Sequence, residues 1–315
     1  MYILGFDIGG TKCAVMTAKC EGENITLLEK LSCPTDLTIS PEVMIDKLIK
    51  MADSILTEKP QRIGVSCGGP LDSEKGIIFS PPNLKGWDNV PIVQILENHY
   101  KVPAKLQNDA NACALAEWKF GAGKGSNNMI FLTFGTGLGA GLILNGKLYT
   151  GTNDNAGEVG HIRLSKNGPI GYGKCGSFEG FCSGGGIAQL GFTLALENAN
   201  KGVFPLYFKD GMTADEVTAK SIADAARKGD KTALKVYKIS GEHLGKGLSI
   251  LIDILNPEIV VIGSVFARAK DLLLPHAKKV IYEEALTDSA KCCRIEAAAL
   301  GENIGDYAAI VTALF

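Results

Sequence analysis

The residues best placed for chemistry lie in two glycine-rich turns. The first is Asp7-Ile-Gly9-Gly10-Thr11-Lys12, between the apolar runs Ile3–Phe6 and Cys13–Met16. The second, Thr133-Phe-Gly135-Thr136-Gly137-Leu-Gly139-Ala-Gly141, repeats that layout, with Phe6–Thr11 aligning on Leu132–Gly137. Each reads as a strand, a tight turn carrying a hydroxyl, and a returning strand. Glycine lets backbone N–H groups face an anion with no Cβ in the way. Either turn alone is best read as an ordinary hairpin. The pair predicts two domains gripping one polyphosphate, through Gly9, Gly10, Thr11, Thr133, Gly135, Thr136 and Gly137. Asp7 is expected to hold Mg2+ directly or through water, and Lys12 to supply a cation for a transferred phosphate.

A third group, Asn108-Asp109, stands just before the strongly helical run Ala110–Phe120. An N-cap is the ordinary reading of such a pair. A carboxylate there would also face the mouth of an inter-domain cleft. The helix dipole lowers its pKa and burial on closure raises it, so the two effects oppose one another.

Two nucleotide patterns come close and fail. Gly141-Leu-Ile-Leu-Asn-Gly146-Lys147-Leu148 lacks the hydroxyl that a P-loop places on Mg2+, and Asn145-Gly146 reads as a β-turn. Gly135-Thr-Gly137-Leu-Gly139-Ala140 satisfies the loose dinucleotide pattern, but Leu142–Leu144 continues as strand where a helix is required.

The elements that must carry these groups follow from periodicity and punctuation. Asn24–Cys33 supplies a third strand. Ser40-Pro41-Glu42 opens a helix with Val43, Leu48, Ile49 and Ala52 at helical spacing. Arg62–Cys67 is a buried strand leading into Gly68-Gly69-Pro70. Ser80–Trp87 is a loop, Pro91–Tyr100 a helix, and Val102–Gln107 a strand. Residues 187–252 are mostly helical, with Ala214–Lys228 and Thr232–Ile252 as long segments. Ile259–Ile262 and Arg294–Ala299 are further strands, and Asp306–Phe315 is an apolar helix. This mixture is α/β. It divides into an N-terminal domain over 1–117 and a C-terminal domain over 118–302, with the helix at about 303–315 packing back on the first.

The chain has 315 residues, 46% hydrophobic and 21% charged, with a formal net charge of −2, which argues against a broad grip on nucleic acid. No apolar run approaches a membrane span, and no leader pattern precedes the first strand. Nine cysteines, an odd number lying mostly in apolar patterns, suggest reduced thiols in the cytoplasm.

Five motifs in order, Asp7–Lys12, Asn83-Leu-Lys-Gly-Trp87, Asn108-Asp-Ala-Asn-Ala112, Gly135–Gly141 and Gly157-Glu-Val-Gly-His161, resemble those of the ROK family of bacterial sugar kinases and sugar-responsive repressors. The resemblance spans almost the whole chain. It implies an actin-like ATPase fold of the hexokinase type (ribonuclease H-like), in two domains around a cleft where ATP and sugar meet. It implies that Asp109 is the catalytic base, and that Asn83, Asn108, Asp109, Glu158, His161 and Glu179 bind sugar, with Gly69 beside them. Carboxylates accept from pairs of hydroxyls and Asn both donates and accepts, so these types suit a polyol. Gly263-Ser264-Val265 matches the adenosine-side motif, with Ser264 where many members carry another Gly. The expected reaction is ATP-dependent phosphorylation of a hexose or N-acetylhexosamine by a homodimer. The alternatives are a sugar-responsive regulator, disfavoured because the first hairpin starts at Tyr2 and leaves no room for a helix-turn-helix, and a non-catalytic sensor.

Members of that family usually hold zinc through the His of the Gly-His motif and the cysteines of Cys-x-Cys-Gly-x-x-Gly-Cys-x-Glu. Counting back from Glu179, those positions here are Ile170, Tyr172 and Ser177. Tetrahedral zinc needs four good ligands, so no structural zinc is expected; against a residual His161, Cys175, Cys182 set, the cysteines read as ordinary buried small hydrophobes. His161 then needs a different partner, for which Tyr172 and Ser177 are hydrogen-bonding candidates.

Overall fold

The computed structural model describes residues 1–22 and 24–315. Along the chain come β1 (Tyr2–Ile8), β2 (Lys12–Glu21), β3 (Asn24–Pro34), α1 (Pro41–Ile55), β4 (Arg62–Cys67), β5 (Leu71–Asp72), β6 (Ile77–Ile78), α2 (Ile92–Tyr100), β7 (Ala104–Asn108) and α3 (Asp109–Phe120). There follow β8 (Met129–Phe134), β9 (Leu138–Leu144), β10 (Lys147–Tyr149), β11 (Ile170–Gly171), β12 (Lys174–Cys175), α4 (Phe178–Phe181), α5 (Gly184–Ala199), α6 (Ala219–Arg227) and α7 (Lys231–Leu255). The chain ends with β13 (Ile259–Ile262), α8 (Val265–Glu284), α9 (Thr287–Cys292), β14 (Arg294–Ala297) and α10 (Ile304–Thr312). Two compact units result, one of residues 1–125, 141–156 and 299–315, the other of 126–140 and 157–298.

Two five-stranded sheets share one topology, β3-β2-β1-β4-β7 and β10-β9-β8-β13-β14. In the first, β1 pairs antiparallel with β2 and parallel with β4, and β4 pairs parallel with β7. Successive residues of β1 point to opposite faces. Leu4, Phe6 and Ile8 enter a core with Met44, Ile45 and Leu48 of α1 and with Trp87 and Leu96. Ile3 joins Met16, Ala309 and Ile310 on the other side. There α10 lies directly on the sheet, because a Cβ at Gly64 would fall 2.0 Å from the Ala309 carbonyl oxygen. Ser40 caps α1 through the Val43 N–H at 3.5 Å. Val43 itself is 55% exposed, the buried stripe being Met44, Ile45, Leu48, Ile49 and Ala52.

In the second unit α8 packs along α7, approaching where Gly241 and Gly245 offer no side chain. No element is predicted over α8 from sequence, and its pattern is interrupted by Pro275 and by non-helical backbone at Ala269. The helix expected over 214–228 is instead a short 3-10 turn at Ala214–Glu216 and then α6. Thr218 breaks it by capping α6, its hydroxyl accepting from Ser221 N at 3.0 Å. Among the described residues no helix is long and apolar enough to cross a membrane, and all nine cysteines are free thiols.

Candidate active site

Register assembles the site of the first unit. Asp7 stands opposite Ser66 of β4, and Ser66 opposite Gln107 of β7; one step on, Ile8, Cys67 and Asn108 share a row. The carboxyl ends of three adjacent parallel strands therefore deliver Asp7, Gly68-Gly69 and Asn108-Asp109 to one edge of the sheet, where ligands of open α/β sheets characteristically bind. The Gly9–Thr11 turn joins them. Gly9 N donates to Lys12 O at 3.1 Å, and the Thr35 hydroxyl donates to Gly9 O at 2.5 Å. Thr11 and Lys12 are exposed. A Cβ on Gly10 would fall 2.4 Å from both Cβ and O of Asn83, so the turn packs on the Asn83 loop with no room to spare. That loop is anchored by buried Leu84 and Trp87.

Asn108 is the N-cap of α3, its Oδ1 accepting from Ala110 N at 2.9 Å, and Asp109 is the first helical residue rather than the residue before the helix. Asp109 Oδ1 also accepts from Ala110 N at 2.8 Å, and its side chain is exposed. A Cβ at Gly69 would stand 3.0 Å from Asn108 Nδ2. The space left by this glycine is thus filled by the Asn108 amide.

Asp7 is largely buried. Desolvation pushes its carboxyl up to about 7, helped by Asp109 and Asp306 and opposed by Lys30 and Lys12. Burial and the Asp109 charge likewise hold the Cys67 and Cys113 thiols well above their ordinary value, so both are neutral. Asp306, at the start of α10, accepts from Lys30 Nζ at 2.7 Å. Neither residue is marked as functional by the sequence; they lie 276 positions apart, and no local pattern joins them.

In the second unit the parallel pair β8 and β13 ends with Leu132 opposite Ile262, and Gly263 N donates to Leu132 O at 3.0 Å. Thr133, the Gly135–Gly137 turn and Gly263-Ser264 therefore emerge together. The Thr133 hydroxyl accepts from Gly139 N at 2.8 Å and lies 3.3 Å from Gly139 O, closing its own hairpin. Thr136 is exposed at the tip. Ser264 has φ +52 without a side-chain cap bond, a conformation that favours glycine.

Glu179 reaches the same hairpin, its Oε2 accepting from Leu138 N at 3.0 Å, and a Cβ on Gly137 would lie 2.8 Å from that oxygen. Gly160 backs onto Leu138 O and the Glu179 Cβ. Gly157, at φ +92, lies where a Cβ would meet the Ala140 oxygen at 2.0 Å. These contacts bring Glu158, His161 and Glu179 beside the second glycine turn. The His161 ring meets Tyr172 edge-on at 4.8 Å, and His161 O accepts from Lys174 Nζ at 2.7 Å. The approach of Tyr172 is a ring contact and not the hydrogen bond expected of it, and no such bond comes from Ser177. The Ser177 hydroxyl donates to Gly171 O and caps α4 through Gly180 N.

The residues present do not fit a tetrahedral zinc. Ile170 and Tyr172 are exposed and Ser177 is committed to α4. Cys175 donates to Gly168 O and buried Cys182 to Ser240 O. Among the described residues no three His, Cys, Asp or Glu side chains converge on a metal position.

Comparison with known proteins identifies the family and the fold. The model of the ROK family matches residues 3–313. A glucokinase of Halalkalibacterium halodurans is 32% identical over 312 residues, covering 96% of this chain and 92% of that protein. A glucokinase of Thermotoga maritima is 31% identical over 310 residues, covering 97% and 95%. The crystal structure of a ROK family glucokinase from Streptomyces griseus, in complex with glucose and AMPPNP, superposes with a TM-score of 0.79 at 27% identity, over 100% of this chain and 99% of that one. The two α/β sheets are those of the actin-like ATPase fold, hexokinase type, and the chain belongs to the ROK family.

Proposed function

We propose that this chain transfers the γ-phosphoryl group of ATP to a hydroxyl of a hexose or N-acetylhexosamine. The observation that carries the reading is the strand register that brings Asp7, the Gly9–Lys12 turn and Asn108-Asp109 to one sheet edge. The glucokinases among its relatives make glucose the first sugar to test.

Asp109 takes the proton of the attacking sugar hydroxyl. Its place in the first turn of α3 leaves the carboxylate exposed to a ligand. The Asn108 cap fixes the backbone that aims it, and Asn83, packed on Gly10, ties the sugar side to the phosphate turn. In the second unit Glu158, His161 and Glu179 supply further hydroxyl partners. The turns at Gly9–Thr11 and Gly135–Gly137 offer backbone N–H groups to phosphate, and Gly263 borders the adenosine side. Phosphoryl transfer asks little covalent chemistry of a protein, so positioning and charge carry the rate.

Asp7 suits Mg2+. A carboxyl pushed up to about 7 by burial and two neighbouring acids, despite two lysines, is short of positive charge, and Mg2+ is commonly held by one or two carboxylates with substrate phosphates and water. Bound there, Mg2+ would neutralise charge developing on the β- and γ-phosphates. Zinc has no part in this reading. A homodimer in a reducing compartment such as the cytoplasm completes it, consistent with nine unpaired thiols.

The test is ADP release measured across a panel of hexoses and N-acetylhexosamines. Asp109→Asn is expected to lower kcat by about 10²- to 10⁴-fold while sugar binding, followed by calorimetry, persists. Absence of turnover across the panel, or full turnover by the variant, refutes the reading.

A further inference from the structure

Beyond the proposed sugar site lies a small hairpin that the reaction itself does not use. β11 and β12 pair Ile170 with Cys175 and Gly171 with Lys174, around a two-residue turn of Tyr172 and Gly173. Both turn residues have positive φ, +45 and +73, as a type I′ turn requires. Glycine does this readily. A tyrosine in that region is uncommon, and this one is also 64% exposed, so it gains little from burial.

What the exposed ring touches is His161, edge to face at 4.8 Å and 67°. Two residues on, the Lys174 ammonium donates to the His161 carbonyl at 2.7 Å. That carbonyl lies at the C-terminal end of a 3-10 turn, Val159–His161, where a cation is favoured. The hairpin is itself seated firmly. The Gly171 backbone lies where a Cβ would stand 2.5 Å from Gly180 N and 2.8 Å from the Glu179 Cβ. The Arg163 guanidinium donates to Cys175 O at 2.8 Å, and Ser177, fully buried, caps the α4 turn that carries Glu179.

We propose that the Ile170–Cys175 hairpin is a metal-free clasp that positions His161 for sugar, with the Tyr172 ring fixing the imidazole and the Lys174 ammonium fixing the backbone beneath it. The clasp binds His161 to the same hairpin that borders Glu179, so two sugar-facing side chains move as one block. Tyr172 and Lys174 are positioning residues and touch no substrate. Ile170, Tyr172 and Ser177 stand where a ROK zinc site would draw its sulfur ligands, and the clasp holds the histidine without them. The proposal rests on the sugar-binding role of His161 given above.

Four variants test it, Tyr172→Ala and Tyr172→Phe, Lys174→Met and Lys174→Arg, with sugar titrated calorimetrically in the absence of nucleotide. Tyr172→Ala and Lys174→Met are expected to weaken sugar binding by about two- to tenfold, the range an edge-to-face ring contact supports, with KM for ATP unchanged. Tyr172→Phe and Lys174→Arg should restore wild-type affinity, which a general loss of stability would not allow. An independent readout comes from the ring resonances of the chain's four histidines. The His161 signal should shift in Tyr172→Ala and stay in Tyr172→Phe. Unchanged sugar affinity in both Tyr172→Ala and Lys174→Met overturns the proposal. So does stoichiometric zinc in the purified chain whose chelation moves the His161 signal. If the wild type binds no sugar, the functional reading fails instead, and the His161 resonances still decide whether the clasp holds the ring.

Discussion

Replacing Asp7 by asparagine removes a carboxyl that the ligand-free protein must strain to ionise. Its pKa rises from 3.8 to about 7, with burial the largest cause and Asp109 and Asp306 adding to it. About three pH units at about 1.4 kcal/mol each set a ceiling of roughly 4 kcal/mol on the cost of the ionised form. Solvent entry and local rearrangement relieve part of such a penalty, so about 1–3 kcal/mol is expected. The sign follows from linkage. Below about pH 4 the carboxyl is protonated in both folded and unfolded chains and contributes no difference. As pH rises toward 7 the unfolded chain ionises first, so wild-type stability falls through this window and then levels off. Asparagine at position 7 cannot ionise, so the variant lacks that slope. Urea unfolding of the ligand-free chain, with a chelator present, should show Asp7→Asn gaining on wild type between about pH 4 and 7 and keeping the lead above. With Mg2+ and nucleotide added the order should reverse, because Asp7 then has a cation to meet and binding stabilises only the wild type fully. A stability difference that does not change with pH, or a less stable ligand-free variant at about pH 8, refutes the reasoning.

Two further perturbations test the scaffold. Glu117 is fully buried in α3, its Oε2 accepting from Ala122 N at 2.8 Å and Ala299 N at 3.1 Å and its Oε1 from Leu300 N at 2.9 Å. Glu117→Ala strands three backbone donors and should cost about 3–5 kcal/mol, read as a large fall in Tm; an unchanged Tm would show that water satisfies these amides. Ser264→Gly should raise stability by about 1 kcal/mol, since φ +52 penalises a side chain that makes no capping bond. A loss of stability in urea unfolding would mean that the serine makes up for its backbone.

Local chemistry was legible wherever a few adjacent residues dictate their own backbone. The glycine turns, the Ser40 cap and the helix beginning beside Asp109 all follow from neighbours in sequence, because turn and cap preferences act over a handful of residues. The limits were local too. Thr218 splits the helix expected over 214–228, Pro275 obscures α8, and Val43 falls just off the buried stripe of α1. The zinc positions could be counted in the sequence, and Tyr172 could be named as a hydrogen-bonding candidate for His161, where the fold gives an edge-on ring contact instead. That Ser177 serves α4 instead, and that Lys174 joins Tyr172, required the folded hairpin.

By itself the sequence determined the motifs, their order and their chemistry, and hence an α/β kinase-like chain with Asp109 beside a capped helix. Tertiary structure alone decided the company those groups keep. Parallel register places Asp7 level with Ser66 and Gln107. Folding brings Asp306 and Lys30, 276 residues apart, to the charge environment of Asp7. Burial and charge act through space, so the carboxyl's rise to about 7 appears only once the chain has folded.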